Sequence, residues 1–418
     1  DNCHVSNSSV TCTYWMAGAM SGQYNNGNVT NCSVTKTTIT GPAAVGALVG
    51  NINETAGERK VENCNVSGCT IVQNGSFGGD YDEMFGAAVG LINIENSTVH
   101  FNECTVENTT VKGIVSTTLY GVCDSSTTVL INGGKIVTTL AQLNAALTND
   151  NTVIIGANIE DATIKLPATL NNFTLRAAEG VVLKNTKISA TDGNAYHYEN
   201  LTFDGITFDN SRIVLTGWRT GEAVIKNLTV TNCVFMNLND TTSEAAVHIN
   251  KDAFEAVENF TFTNNVIDGA TGGSKSGVYA QVTGKVVFEN NVINNVSFRP
   301  YVIQITTDDN IADTFTVRGN TFSGSASGRA QGLGNNAEGT DSVKLVVSGN
   351  IFKDITKAQQ ICYWNFNTAT TTVDLSKNYY DIDIEANPSR IYYNAAASSV
   401  EDLKAMCVYP FYTELNAD

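Results

Sequence analysis

FTFTNNVI (260–267), VVFENNVI (286–293), FTVRGNTF (315–322), LVVSGNIF (345–352) and VDLSKNYY (373–380) decide the fold of this chain. Superimposed, they align an asparagine at Asn265, Asn291, Asn320, Asn350 and Asn378, with steps of 26, 29, 30 and 28 residues. A period in that range marks a solenoid, in which each repeat buries its apolar face only against its neighbours. The unit is extended: Phe262, Phe288, Val317, Val347 and Leu375 share one slot, and Ile267, Ile293, Phe322, Phe352 and Tyr380 another. Short β-rich runs bounded by Asn, Gly and Asp are strand-and-turn signals.

The aligned asparagine has a physical reason. Equivalent turns of stacked parallel strands lie about 4.8 Å apart. An Asn there can adopt the left-handed conformation and bond the amides above and below it in a ladder. These asparagines are therefore read as structural. The register continues upstream to KNLTVTNCVF (226–235), with Cys233 in the slot, and more loosely to ENLTFDGITF (199–208), with Ile206 there. A second run recurs between them, in AAVHIN (245–250), GVYAQV (277–282), YVIQIT (301–306), QQICYWNF (359–366) and RIYYN (390–394), so each coil has at least two strands. On these repeats, residues 131–418 resemble the right-handed parallel β-helix of the pectin lyase-like superfamily. The resemblance implies an all-β solenoid with short capping helices. Leu140, Leu143 and Leu147 recur at helical spacing after Thr138 or Thr139, which predicts a helix near 139–147 over the first coil. Ser398 with Glu401, or Ser399 with Asp402, predicts a second helix near 399–406 as the C-terminal lid.

Residues 1–130 follow another pattern. Gly18-Ala-Met-Ser-Gly22, Gly46-Ala-Leu-Val-Gly50 and Gly86-Ala-Ala-Val-Gly90 each precede an x-Cys-x-Val element, at Cys32, Cys64 and Cys104, and a lone Cys3 stands at the start. The cysteine steps are 29, 32 and 40 residues. This resembles the GLUG-type repeats of bacterial surface proteins, with the first Gly replaced by Ala17, Val45 or Phe85. Glycines at such positions mark close backbone approach. The reading is a second β-solenoid, with a junction in SSTTVLINGGKI (125–136). The two repeat types together resemble exported proteins of Bacteroidetes.

The 418 residues carry a net charge of −17, and only 16% are charged. Nucleic acid is not an expected partner, because phosphate binding needs clustered Lys and Arg. No apolar run approaches the roughly 18 residues of a membrane span, and no signal segment is seen at Asp1, where a processed or trimmed chain is expected. The ten cysteines are read chiefly as reduced core residues, because four share one repeat slot. Cys64 and Cys69 are near enough in sequence to pair, subject to geometry. Without Cys-x-x-Cys and with four scattered histidines, no metal site is expected. About fourteen Asn-x-Ser/Thr sequons occur, as at Asn28, Asn53, Asn96, Asn200, Asn227, Asn259 and Asn295, and are ascribed to composition and repetition.

The superfamily resemblance implies that lyase or hydrolase chemistry must be weighed. An acidic-polysaccharide lyase needs a cation for the uronate carboxylate and a base for the α-proton, so calcium enters only if the chain is a lyase. Of the polygalacturonase-type motifs only Asp308-Asp309 occurs, read as an exposed turn, and no catalytic residue is assigned. A softer constellation lies on the second strand set: His248, Asn250, Tyr279, Gln281, Arg299, Tyr301, Gln304, Arg329, Gln331, Tyr363 and Trp364. Rings with amide and guanidinium donors suit a sugar surface, although of Tyr363 and Trp364 only one can face outward. The expectation is an exported or cell-surface protein, a non-catalytic glycan-binding or adhesion protein whose partner is a polysaccharide or host glycan; the alternative is a polysaccharide lyase or glycoside hydrolase acting on an acidic polysaccharide.

Overall fold

The computed structural model describes residues 1–53, 56–116, 118–131, 133–191, 196–216, 224–242, 244–249, 257–271, 276–306, 314–324, 330–335, 344–354, 362–365, 372–381, 383–384, 386–393, 395–396 and 398–406. Within these, residues 304–306, 314, 330–335, 362–365, 372–373, 391–393, 395–396, 403–404 and 406 are described by backbone alone. The fold is nearly all β, with stacked parallel strands forming a β-solenoid. The chain divides into two compact units, Asp1–Ile136 and Val137–Asp418.

In the second unit each quoted segment bends at its asparagine and supplies two strands. Val257–Thr263 and Val266–Asp268 flank Asn265 in this way. With the run that follows, each coil has three strands, in three parallel stacks. One is a nine-stranded sheet from Ile159–Glu160 to Tyr379–Tyr380. The register pairs Phe262 with Phe288, Val317 and Val347 in turn, and Ile267 with Ile293, Phe322, Phe352 and Tyr380. These side chains are buried, and Leu375 with them. Like rings lie on like rings: Phe208 and Phe235 are 4.5 Å apart and nearly parallel, and Phe352 and Tyr380 are 5.4 Å apart. Each such Phe contributes about 1.5–3 kcal/mol on burial.

The corner corrects one expectation. The left-handed residue is not the aligned asparagine but its predecessor: Asn264, Asn290, Gly319, Gly349 and Lys377, with φ of 57–65°. Its successor is thereby turned into the core, where Asn265, Asn291, Asn320, Asn350 and Asn378 are at most 1% exposed. Burial without partners would be costly, and the ladder supplies them. The Asn320 carboxamide oxygen accepts from the Asn291 backbone N–H and side-chain amide, both at 2.9 Å. Its nitrogen donates to the Phe288 carbonyl and to Asn350 Oδ1, also at 2.9 Å. Cys233 ends the series, its N–H donating to Asn265 Oδ1 at 2.9 Å.

A helix, Leu140–Ala146, precedes the first coil. Thr139 and Gln142 form a reciprocal capping box, and Leu143 and Ala146 join the core that holds Val153 and Ile155. At the other end, Val400–Met406 is helical; the Asp402 N–H donates to Ser399 Oγ, and the Asp402 carboxylate accepts from the Ser398 N–H. One strand of the third stack, Ala330–Asn335, is not among the runs quoted from the sequence, although Gln331 was assigned to this strand set. Gly332 and Gly334 stand opposite Ile303 and Ile305 there, so the alternating apolar signal is missing.

The first unit uses shorter strands. Val49–Asn53, Glu58–Glu62, Asn65–Ser67, Thr70–Gln73 and Phe85–Gly86 make one coil. Val5, Val34, Val66 and Val106 stand in register, as do Val10, Ile39, Ile71 and Val111. The Gly-Ala elements are places of backbone-to-backbone contact. A Cβ on Gly46 would lie 2.5 Å from the Val49 oxygen and 2.6 Å from that of Ala88. The cysteine slot is a corner, entered through left-handed Asn31, Asn63 and Glu103. Cys32, Cys64 and Cys104 donate their thiols to the carbonyls two residues back, at 3.0, 3.2 and 3.4 Å. Cys69 occupies the next corner, in line with Thr37 and Thr109, and is not bonded to Cys64; the eight cysteines whose side chains are described are all free thiols. Of the slot members Cys32 and Cys64 are buried, whereas Cys104 is half-buried and Cys3 exposed.

Candidate functional site

The sugar face expected from the sequence falls on the third stack of the second unit. In the strands Val247–Ile249 and Val278–Val282 the inward residues are Val247, Ile249, Val278, Ala280 and Val282. Strand alternation turns His248, Tyr279 and Gln281 the other way. His248 and Tyr279 are register partners, and their rings stack at 5.0 Å with a 16° tilt. Gln281 pairs with Gln304, whose side chain is not described.

Tyr301 does not belong to this face. It is register partner to Val278, fully buried, and its ring lies 5.1 Å from Phe288 and 5.3 Å from Phe322. Placing it outward misjudged the strand by one residue, which reverses the face. Arg299 precedes the strand, half-buried, with its guanidinium 4.2 Å from the Phe298 ring. Tyr363 stands opposite Gln331, in the line that runs from His248 through Tyr279 and Val302, and Trp364 opposite Gly332, in the line of buried Ala280 and Ile303. Only the backbone of these last residues is described. Asn250, Arg329 and Asp308-Asp309 lie outside the described residues.

Beside His248 is an ion network that the sequence did not announce, because its acids come from the segment before the strand. Lys187 Nζ is 2.7 Å from Glu244 Oε1, and Arg212 reaches Glu244 at 3.3 Å, Asp240, and Thr242 Oγ1 at 2.5 Å. Lys187 and Arg212 are register partners in neighbouring strands. The Arg212 side chain is only 6% exposed, so its two carboxylates are what make its burial tolerable. The four charges sum to zero. Burial holds the His248 pKa below its ordinary value; Glu244 acts upward, and Lys187 and Arg212 downward. Nδ1 accepts from the Ala245 N–H at 3.2 Å. That bond assigns the proton of the neutral ring to Nε2. His248 therefore offers a donor, stacked on an aromatic ring, beside an amide.

A second aromatic group, in the first unit, escaped the sequence reading. Tyr14, Phe77 and Tyr81 are 79%, 47% and 41% exposed. Trp15 packs 5.1 Å from Phe77 and 5.3 Å from Tyr81. The signal was present in the 40-residue cysteine step. It exceeds the preceding step of 32 by eight, the same excess by which the connection 74–84 exceeds 42–44. Among the described residues, no three His, Cys, Asp or Glu side chains are grouped to hold a metal ion, and no helix is long and apolar enough to cross a membrane. No protein-family model matches the chain, and no curated protein matches it significantly.

Proposed function

We propose that this chain is an exported or cell-surface solenoid that binds polysaccharide or host glycan without transforming it, in the manner of an adhesin. The observation that carries the reading is the outward His248–Tyr279 stack with Gln281 one step along the strand. A stacked ring pair offers an apolar surface to a sugar face, while Nε2–H and a carboxamide are suited to hydroxyls. Repetition of the strand lays equivalent positions along a line, which suits a polymer. The pectin lyase-like and GLUG-like affinities, and a Bacteroidetes source, agree with this reading on the repeat pattern alone.

The alternative, cleavage of an acidic polysaccharide, has less support at this place. A uronate needs an uncommitted cation and a base. Lys187 and Arg212 are held by Glu244 and Asp240, and the His248 Nδ1 lone pair is taken by a backbone N–H. Glycan-array screening followed by titration tests the proposal. Tyr279→Ala and His248→Ala are expected to weaken binding of the best glycan by about tenfold each, the value of a lost stacking contact. An unmodified chain that captures no glycan, or variants that bind like it, would refute the proposal. Release of an unsaturated uronate product would establish the alternative.

A further inference from the structure

The aromatic group of the first unit forms a built notch, and its construction spans three successive coils. In the first, the connection after Ser9–Thr11 carries Tyr14 and Trp15. In the second, the equivalent connection is only Pro42-Ala43-Ala44. In the third it is the eight-residue-longer segment 74–84, with Phe77 and Tyr81. That segment folds back over the short one: a Cβ on Gly75 would lie 3.2 Å from Pro42 Cβ, and Asn74 Nδ2 donates to the Cys12 carbonyl at 3.1 Å. It is also pinned to its own coil. The Asp82 carboxylate accepts from Gln73 Nε2 at 2.8 Å and from Ser76 Oγ at 2.7 Å, and Lys112 Nζ donates to the Asp82 carbonyl at 2.8 Å. A loop merely closing a coil would turn its rings inward; this one is tied down with two rings left substantially in water.

Trp15 belongs both to this trio and to an open cavity of about 550 Å³, lined by Cys12, Tyr14, Trp15, Met16, Gly22 and Gln23. It is a shallow depression, open to water on most of its surface. The lining contains no charged side chain. Lys112, the cation of the neighbouring loop, donates to the Asp82 backbone carbonyl and lies 5.3 Å from the Phe85 ring, and the segment that carries Phe77 and Tyr81 also carries Asp80 and Asp82. A chain of net charge −17 adds to the repulsion of anions. The geometry points to a second saccharide site here, for neutral pyranosides: rings for the apolar sugar face, the Gln23 carboxamide and Tyr14 hydroxyl for hydroxyl groups, and rejection of uronates. The ligand class rests on the glycan-binding reading, but the residues are independent of those on the third stack.

Calorimetric titration of the full chain with neutral oligosaccharides (gluco-, manno- and xylo-series) and with matched oligogalacturonates tests it. Neutral ligands are expected to bind, and Tyr14→Ala and Phe77→Ala to weaken them by about tenfold. Tyr14 is so exposed that its loss does not threaten folding; an unchanged circular dichroism spectrum and melting temperature verify this for both variants. No binding of any neutral saccharide, binding by Tyr14→Ala and Phe77→Ala as tight as that of the unaltered chain, or preference for oligogalacturonate would each overturn the inference. So would a concentration-dependent dimer abolished by Phe77→Ala, which would assign the rings to a second copy of the chain. Glycan binding sensitive only to Tyr279→Ala would sink this site while leaving the third-stack reading intact.

Discussion

Replacing Asn320 by alanine separates the internal ladder from every other asparagine in the chain. Its side chain makes four hydrogen bonds at 2.9 Å in a site 1% exposed. Two of the partners keep an alternative. Asn291 Nδ2 still donates to the Phe262 carbonyl, and Asn350 Oδ1 still accepts the backbone N–H of residue 320. The Asn291 backbone N–H and the Phe288 carbonyl lose the amide. At about 1–3 kcal/mol for each buried group left unpaired, plus a small cavity, the cost is about 4 kcal/mol. Asn227 is the control. It also stands in a ladder, donating to Asn200 Oδ1 at 2.7 Å and accepting from Asn259 at 2.9 Å, but water can reach these bonds. Asn227→Ala should cost under about 1 kcal/mol. Solenoids open locally, so a single unfolding midpoint is a poor measure. Hydrogen exchange of peptides covering 286–294 and 315–323 is the better assay, and about 4 kcal/mol corresponds to roughly thousandfold faster exchange there. If the two variants exchange alike over those peptides, the ladder is not what holds this part of the coil.

Three further outcomes follow from the geometry. Gly46→Ala drives a Cβ into two carbonyl oxygens of the backbone and should unfold the first unit, while Gly27→Ala, with open space around it, should cost about 1 kcal/mol for its positive φ; limited proteolysis of the two variants distinguishes them. Burial pushes the Cys233 thiol up to about 12 and the Cys123 thiol to about 11, so native-state alkylation at pH 8 should label exposed Cys3 and spare Cys233, and stability from the Cys233 thiol should be present below its unfolded value near 9 and lost as pH rises toward about 12. The His248 pKa is depressed, so its contribution is present above the unfolded value near 6.5 and lost as pH falls through the folded value; the histidine titration followed by NMR checks this, and a pKa at or above 6.5 would refute it.

The core was legible because a solenoid writes its packing as a period. Each inward slot named from the sequence is an inward column, including Cys233 and Ile206 above the asparagines. What was not legible depended on phase or on connections. Tyr301 was misplaced because YVIQIT is apolar at most positions, and alternation cannot be phased from such a run. Ala330–Asn335 gave no strand signal beyond the placing of Gln331, because two glycines stand opposite Ile303 and Ile305. The Lys187–Glu244–Arg212–Asp240 network joins a periodic strand pair to an aperiodic segment, and nothing in either part points to the other. Phe77 and Tyr81 lay in the longest of the cysteine steps, so an irregular step in a repeat is itself a signal of an added surface.

The sequons show how far the coil geometry reaches into motifs that carry another meaning elsewhere. Asn172-Phe173-Thr174, Asn200-Leu201-Thr202, Asn227-Leu228-Thr229 and Asn259-Phe260-Thr261 stand in register on four successive strands. The middle residue is buried in each, at 0–1% exposure, because it points inward. The threonines pair outward, where β-branched residues suit a strand. Each asparagine passes its amide to the oxygen of the one before: Asn200 to Asn172, Asn227 to Asn200, Asn259 to Asn227, with Asn172 donating to Asp150. Asn-apolar-Thr is thus the shortest statement of ladder, core and outer strand face. One amide hydrogen of each asparagine is committed to the ladder, and the motif at these four positions is accounted for by stacking alone.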